Sequence, residues 1–97
     1  MSVTLDNFLR YIAYDTQSKE DQKQQPSTEK QFALAKLLEK ELKEMGASHV
    51  TLNDQCYLMA SIPATTDRKV PVLGFISHMD TAPAFSGCGV NPKIIKQ

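Results

Sequence analysis

The stretch Val70-Pro-Val-Leu-Gly-Phe-Ile-Ser77 decides the fold, because it is apolar on both faces of an extended chain. Side chains alternate between the two faces of a strand, so Val72 and Ile76 share one face. Leu73 and Phe75 share the other face. A strand with two apolar faces is typical of the centre of an α/β sheet that helices cover. We therefore expect an α/β fold with a buried central strand over this stretch.

Two polar residues, His78 and Asp80, follow this predicted strand directly. They share a face with Ile76, so an apolar face turns polar where the strand ends. Ligands of open α/β sheets bind just outside the carboxyl ends of the strands. A metal-bound imidazole usually donates its second N–H to a carboxylate, and the His-x-Asp spacing supplies both groups. His78 is thus a candidate metal ligand, with Asp80 as its support.

Both residues also have ordinary structural explanations. His78 can be a hydrogen-bonded histidine at a sheet edge. Asp80 can open an Asx-turn into the loop Thr81-Ala-Pro83, a role that is compatible with supporting a ligand. The other histidine, His49, stands at a predicted strand start with no carboxylate nearby in sequence, so we leave it out of the site.

An amphipathic helix and a polar loop open the chain. Apolar residues spaced at i, i+3, i+4 and i+7 predict a helix over about residues 4–14, with Thr4 as its N-cap. Residues 15–25 contain no apolar side chain and are followed by Pro26, which indicates a surface loop.

A second, longer helix is predicted over about residues 28–45. Thr28 and Gln31 have the spacing of a capping box just before a run of apolar residues at helical spacing. Gly46 follows as a natural C-terminal stop. This helix supplies one of the layers that an α/β sheet needs.

A short hairpin is predicted after the second helix. Residues 49–52 and 57–62 read as strands on either side of the turn-prone residues 53–55. Beyond the proposed site the chain is rich in Gly, Pro and Ser, and residues 90–95 are candidates for the start of a further strand.

Composition limits the function classes. The 97 residues suffice for one small domain, and eleven basic residues balance eleven acidic ones, so no positive field favours nucleic acid. No signal peptide or run of about 18 apolar residues is present, which predicts a cytoplasmic protein that does not bind membranes. Cys56 and Cys88 are then expected to be reduced thiols without a metal or redox role.

Several segments together resemble the peptidase T family of zinc aminotripeptidases, in the superfamily that also contains the glutamate carboxypeptidases and aminoacylases. The resemblance covers essentially the whole chain. The segments that carry it are Tyr14-Asp-Thr-Gln-Ser18, Pro26-Ser-Thr-Glu29, Gly74-Phe-Ile-Ser-His-Met-Asp-Thr81, Ser86-Gly87 and Val90-Asn-Pro-Lys-Ile94.

The resemblance implies roles for two residues and no more. His78 would bind one of two active-site zinc ions, and Asp80 would be the catalytic aspartate that supports it. The other zinc ligands and the glutamate general base would lie beyond residue 97. Residues 1–97 would then be the N-terminal portion of a catalytic domain, with the remainder of that domain and a second domain absent.

The resemblance also implies a substrate and a limit on activity. The complete enzyme would release the N-terminal residue from tripeptides, whereas the isolated chain is expected to bind zinc weakly and to hydrolyse nothing. Its uncovered apolar faces predict a homo-oligomer. The competing hypothesis is a non-catalytic α/β binding or assembly module in which His78 is structural. Asp15 to Ser18 and Ser86-Gly87 fit either a substrate contact or a plain turn.

Overall fold

Two helices and a two-stranded antiparallel sheet make up the regular structure of the computed structural model, which describes residues 2–95. Helix α1 spans Val3–Tyr11 and helix α2 spans Gln31–Glu44. Strand β1 spans Ser48–Leu52 and strand β2 spans Leu58–Ser61. The predicted α/β class, both helices and the hairpin are confirmed.

Helix α1 begins one residue before the predicted start and takes a different cap. The hydroxyl of Ser2 accepts a hydrogen bond from the backbone N–H of Leu5 at 3.1 Å, while the Ser2 backbone is extended. Thr4 lies inside the helix, so its prediction as N-cap is wrong. The N-terminal N–H groups of a helix need an acceptor that precedes them, and Ser2 stands at that place.

A polar contact joins the two helices through Glu41. One carboxylate oxygen, Oε1, accepts hydrogen bonds from the Tyr11 hydroxyl and from the Arg10 guanidinium, each at 2.7 Å. The Tyr11 hydroxyl, and after it Arg10, holds the pKa of Glu41 below its ordinary value. The contact is partly open to solvent, so it orients α1 on α2 more than it stabilises the fold.

Helix α2 starts at Gln31 without the predicted capping box. The Thr28 hydroxyl donates to the carbonyl of Gln17 at 2.8 Å and accepts from the side chain of Gln31 at 3.1 Å. Because that hydroxyl is held by the loop, it does not cap the helix, and Lys30 stands at the N-cap without a side-chain hydrogen bond. The capping-box prediction is therefore wrong.

Gly46 ends α2 as predicted. Its φ of +87° is in the left-handed region, and its N–H donates to the Lys43 carbonyl at 3.1 Å. The N–H of Ala47 reaches back to the Leu42 carbonyl at 3.0 Å. These two bonds form a Schellman motif, which satisfies carbonyls that the last helical turn leaves free.

The predicted hairpin turn is held by one side chain. The amide oxygen of Asn53 accepts hydrogen bonds from the backbone N–H groups of Gln55 at 3.0 Å and Tyr57 at 2.9 Å. Helix α2 packs mainly on β1, and the apolar side chains buried beneath it are Leu34, Ala35 and Cys56. The apolar core is small.

The predicted buried central strand is wrong for this chain. Within residues 2–95 the stretch 70–77 pairs with no neighbouring strand, and the side chains of Val72, Leu73, Phe75 and Ile76 are at least 78% exposed. A cleft of about 1080 Å³ separates residues 72–80 from β2. A strand needs a partner for its backbone hydrogen bonds, and the described part of the chain provides none here.

Other features agree with this open arrangement. The radius of gyration is 16.0 Å, against about 12.5 Å for a compact domain of this length. The described residues of the stretch 90–95 form no strand either.

Neither helix in the described part of the chain has the length and apolar character to cross a membrane.

The exposed stretch 70–77 predicts that the 97-residue chain self-associates. An extended, unpaired apolar segment exposes backbone groups and apolar area that a second copy can cover. Static light scattering over a range of concentrations should show oligomers, and Phe75→Lys should shift them towards monomer. Met45→Lys is the matched control, because Met45 is also exposed but lies outside the stretch. A clean monomer at high concentration would contradict this prediction.

The Schellman motif predicts a cost for Gly46→Ala. An alanine is strained at a φ of +87°, so the free energy of unfolding should fall by about 1 kcal/mol. Denaturant unfolding followed by circular dichroism measures the change. Gly74→Ala is the matched control, because open space surrounds Gly74. Equal stability of the two variants would show that the motif does not end the helix.

Candidate functional site

His78 and Asp80 contact each other as the sequence predicts. Nδ1 of the imidazole lies 2.9 Å from Oδ1 of the carboxylate. An ionised carboxylate only accepts hydrogen bonds, so in this contact the hydrogen sits on Nδ1. The lone pair of the neutral ring is then on Nε2, which is the atom left to bind a metal.

The pair is open to solvent. The side chain of His78 is 85% exposed and that of Asp80 is 39% exposed. Both line the larger cleft beside the apolar stretch 70–77, whereas neither lines the smaller cleft of about 570 Å³ next to Lys30. A histidine that packs against so little stabilises this chain only weakly.

Asp80 does not form the Asx-turn that is its alternative explanation. Within residues 2–95 its carboxylate pairs with His78 and accepts no hydrogen bond from a loop amide. The Asx-turn of this region belongs to Asp15, whose Oδ1 accepts from the backbone N–H of Gln17 at 3.1 Å. His49, which the sequence excludes from the site, lies exposed in β1.

Thr81, the residue after Asp80, is paired with the loop that precedes α2. Its backbone N–H donates to the Thr16 carbonyl at 3.1 Å, and its carbonyl accepts from the Ser18 N–H at 2.9 Å. The Ser18 hydroxyl donates to the same carbonyl at 2.8 Å. These bonds make a parallel bridge between Gln17 and Thr81, and we call residues 15–18 together with Thr81 the junction.

Asp15 organises the loop side of the junction. Besides the N–H of Gln17, its carboxylate accepts a hydrogen bond from the Lys30 ammonium at 3.1 Å through Oδ2. The Gln17 N–H, and after it Lys30, lowers the pKa of Asp15 below its ordinary value. Asp15 is therefore ionised at neutral pH, and Thr16 beside it is buried.

Gly87 closes the junction from the other side. A Cβ on this buried glycine would lie 2.7 Å from Oδ1 of Asp15 and 3.2 Å from the Thr81 hydroxyl. The first distance is too short for any real side chain, so the backbone of residue 87 approaches the carboxylate as only glycine allows. The sequence left the motif Ser86-Gly87 open between a turn and a substrate contact, and the structure places it against Asp15.

The junction is the part of the site that sequence reasoning did not predict. Ser18 and Thr81 are 63 residues apart, and no local pattern links them. The sequence pointed separately to Asp15, in a turn-forming segment, and to Ser86-Gly87, in a segment that resembles the family. That these two segments are in contact depends on tertiary structure.

His78 and Asp80 are candidates for one arm of a metal site. Within residues 2–95 no three His, Cys, Asp or Glu side chains are grouped to hold a metal ion. The imidazole of His78 with its carboxylate partner has the chemistry of one zinc ligand, while a catalytic zinc normally has three protein ligands. Cys56 is buried and Cys88 exposed, and both are free thiols. The pair fits zinc but does not complete a site.

Comparisons with known proteins give a consistent result. No family model matches the chain. It is 49% identical over 96 residues to the "Peptidase T" of Clostridium novyi, which covers 99% of this chain and 24% of that protein. Proteins of the same name from Clostridium acetobutylicum and Salmonella newport are 50% and 48% identical over the same shares. The chain thus spans about a quarter of the length of these curated relatives.

Proposed function

We propose that this chain, a homologue of part of Peptidase T over 99% of its length, is a segment of a zinc aminotripeptidase. In that enzyme His78 holds one of two zinc ions and Asp80 is the catalytic aspartate that supports it. The enzyme releases the N-terminal residue from tripeptides. The chain belongs to the N-terminal portion of the catalytic domain.

The contact between His78 and Asp80 carries this proposal. With Nδ1 donating to the carboxylate at 2.9 Å, the imidazole is held in the tautomer that leaves Nε2 for the metal. The carboxylate also makes the ring a stronger electron donor. Because the imidazole is 85% exposed, Nε2 is accessible to a metal and to groups from elsewhere in a longer protein.

The roles divide between the metal and the chain. Zinc, when bound, supplies Lewis-acid polarisation of the scissile carbonyl. His78 holds it, and Asp80 holds His78. The site needs at least two further protein ligands for that ion and a general base, and the described residues do not group such ligands around His78. The chain spans 24% of its relatives' length, so we assign those groups to the rest of the longer protein.

The competing hypothesis is a binding or assembly module without catalysis. It requires a structural role for His78, whose side-chain hydrogen bond among the described residues goes to Asp80. The free thiols of Cys56 and Cys88 suit a reducing compartment, and we propose that the protein is cytoplasmic. Its partners in this proposal are small peptides and, through the apolar stretch 70–77, other copies of itself.

The 97-residue chain by itself should bind zinc only weakly. One imidazole without convergent ligands cannot reproduce a three-ligand site, so calorimetry should find binding weaker than about micromolar and no tripeptide hydrolysis. Stoichiometric micromolar binding that His78→Ala abolishes would contradict this incomplete-site interpretation.

In the longer protein that contains this chain, two substitutions should have different effects. His78→Ala should lose one zinc ion and nearly all tripeptide hydrolysis, because it removes a ligand. Asp80→Ala removes the partner of the ligand and should lower zinc affinity or activity by ~10- to 100-fold or more. Metal analysis and a tripeptide hydrolysis assay measure both effects.

The matched control is the chain's other histidine. His49→Gln removes an exposed imidazole that belongs to no metal-binding group among the described residues, so zinc content and hydrolysis should stay at the wild-type level. Unchanged hydrolysis in His78→Ala and Asp80→Ala would end the assignment of these two residues to the zinc site. A longer wild-type protein that hydrolyses no tripeptide would end the peptidase proposal and favour the binding module.

A further inference from the structure

Thr81, the residue after Asp80, is held by hydrogen bonds at both its backbone N–H and its backbone carbonyl. The N–H of Thr81 and its carbonyl are each bonded to the loop at residues 16–18, at 3.1 and 2.9 Å. A third link runs from the side chain of Gln17 to the carbonyl of Pro83 at 2.8 Å. The stretch 70–77 ahead of the pair is unpaired, so the junction is the anchor nearest to Asp80 in the described chain.

Asp15 keeps the loop in the shape that the junction needs. Its Oδ1 holds the N–H of Gln17, so the loop turns before it meets Thr81. The carbonyl of Gln17 is held in turn by the Thr28 hydroxyl at 2.8 Å, and Lys30 holds the other carboxylate oxygen. Both of these partners lie just before α2, so the loop is tied to the segment that leads into that helix.

We infer that Asp15 and Gly87 are positioning residues for the site: they hold the junction, and the junction sets the orientation of Asp80 towards His78. Neither residue touches the imidazole. Asp15 acts through the Gln17 N–H and the Thr81 backbone, and Gly87 acts by leaving room for the Asp15 carboxylate. Two separate observations meet at the same atom, Oδ1 of Asp15.

The inference rests on the proposed function for its catalytic meaning, because a positioned imidazole matters when Nε2 binds zinc. Its test uses neither zinc nor peptide. If the peptidase proposal fails, the experiment still shows whether Asp15 and Gly87 position Asp80 towards His78.

The experiment measures two properties of the 15N-labelled 97-residue chain by NMR. Amide hydrogen exchange at Ser18 and Thr81 reports whether the junction forms. The 15N shifts of the neutral His78 ring report which nitrogen carries the hydrogen. His49→Gln assigns the ring signals, since the chain has two histidines. Phe75→Lys, at a 90% exposed side chain, serves as the common background to limit association.

Asp15→Ala should affect both measurements. Without the carboxylate, exchange at Ser18 and Thr81 should accelerate by about tenfold or more as the junction opens. The His78 ring should then gain the Nε2–H tautomer, because Asp80 no longer fixes the hydrogen on Nδ1. Gly87→Ala should do the same by displacing the carboxylate, whereas Gly74→Ala, with open space around it, should change neither.

Asp15→Asn tests whether the junction depends on the turn that Asp15 forms or on the charge of its carboxylate. The amide oxygen still accepts the N–H of Gln17 but loses the ion pair with Lys30, so junction and tautomer should stay close to those of the background chain. Amides of α2 with unchanged exchange would show that each variant is folded.

Two results would overturn the inference. In the first, Asp15→Ala accelerates exchange at Ser18 and Thr81 while the His78 tautomer stays unchanged, so the junction is only structural. In the second, exchange at the junction is unaffected by Asp15→Ala and Gly87→Ala alike. If Asp15→Ala loses α2 protection, Gly87→Ala, which leaves the Asp15 side chain in place, is judged by the same two readings.

Discussion

The pairing of Thr81 with residues 16–18 is the contact on which the arrangement of the site depends. It brings a loop from the start of the chain against the residue that follows Asp80, across 63 residues of sequence. Two of the hydrogen bonds are backbone to backbone and the third comes from the Ser18 hydroxyl, so none of them needs a particular side chain at Thr81. They do need the loop to turn, which is the work of the Asp15 carboxylate. Local turn chemistry thus supports a long-range contact.

The fold divides into a packed part and an open part. Helix α2 and the hairpin bury Leu34, Ala35 and Cys56, and the Schellman motif at Gly46 ends the helix before the hairpin. The stretch 70–77 stands apart across a wide cleft, with apolar side chains in solvent. A segment with two apolar faces gains no free energy from burial on either face until another surface covers it. His78 and Asp80 line the cleft between these two parts.

Several elements could be predicted because their cause is local. The apolar spacing of α2, the Gly46 stop and the Asn53 turn depend on residues within a few positions of one another, and all three form. The contact of His78 with Asp80 is local too, since alternation along an extended chain brings positions two apart to one side. The predicted cap at Thr28 failed because a distant partner, the Gln17 carbonyl, took its hydroxyl.

The sequence by itself determined the α/β class, the helices and hairpin, and the identity of the candidate pair His78 and Asp80. Side-chain periodicity, turn residues and the spacing of two polar groups are sufficient for those conclusions. Tertiary structure alone decided that the stretch 70–77 is unpaired and that Asp15 and Gly87 meet beside Thr81. A strand exists only through its neighbours, and a close backbone approach exists only once distant segments pack, so neither is encoded in any short stretch.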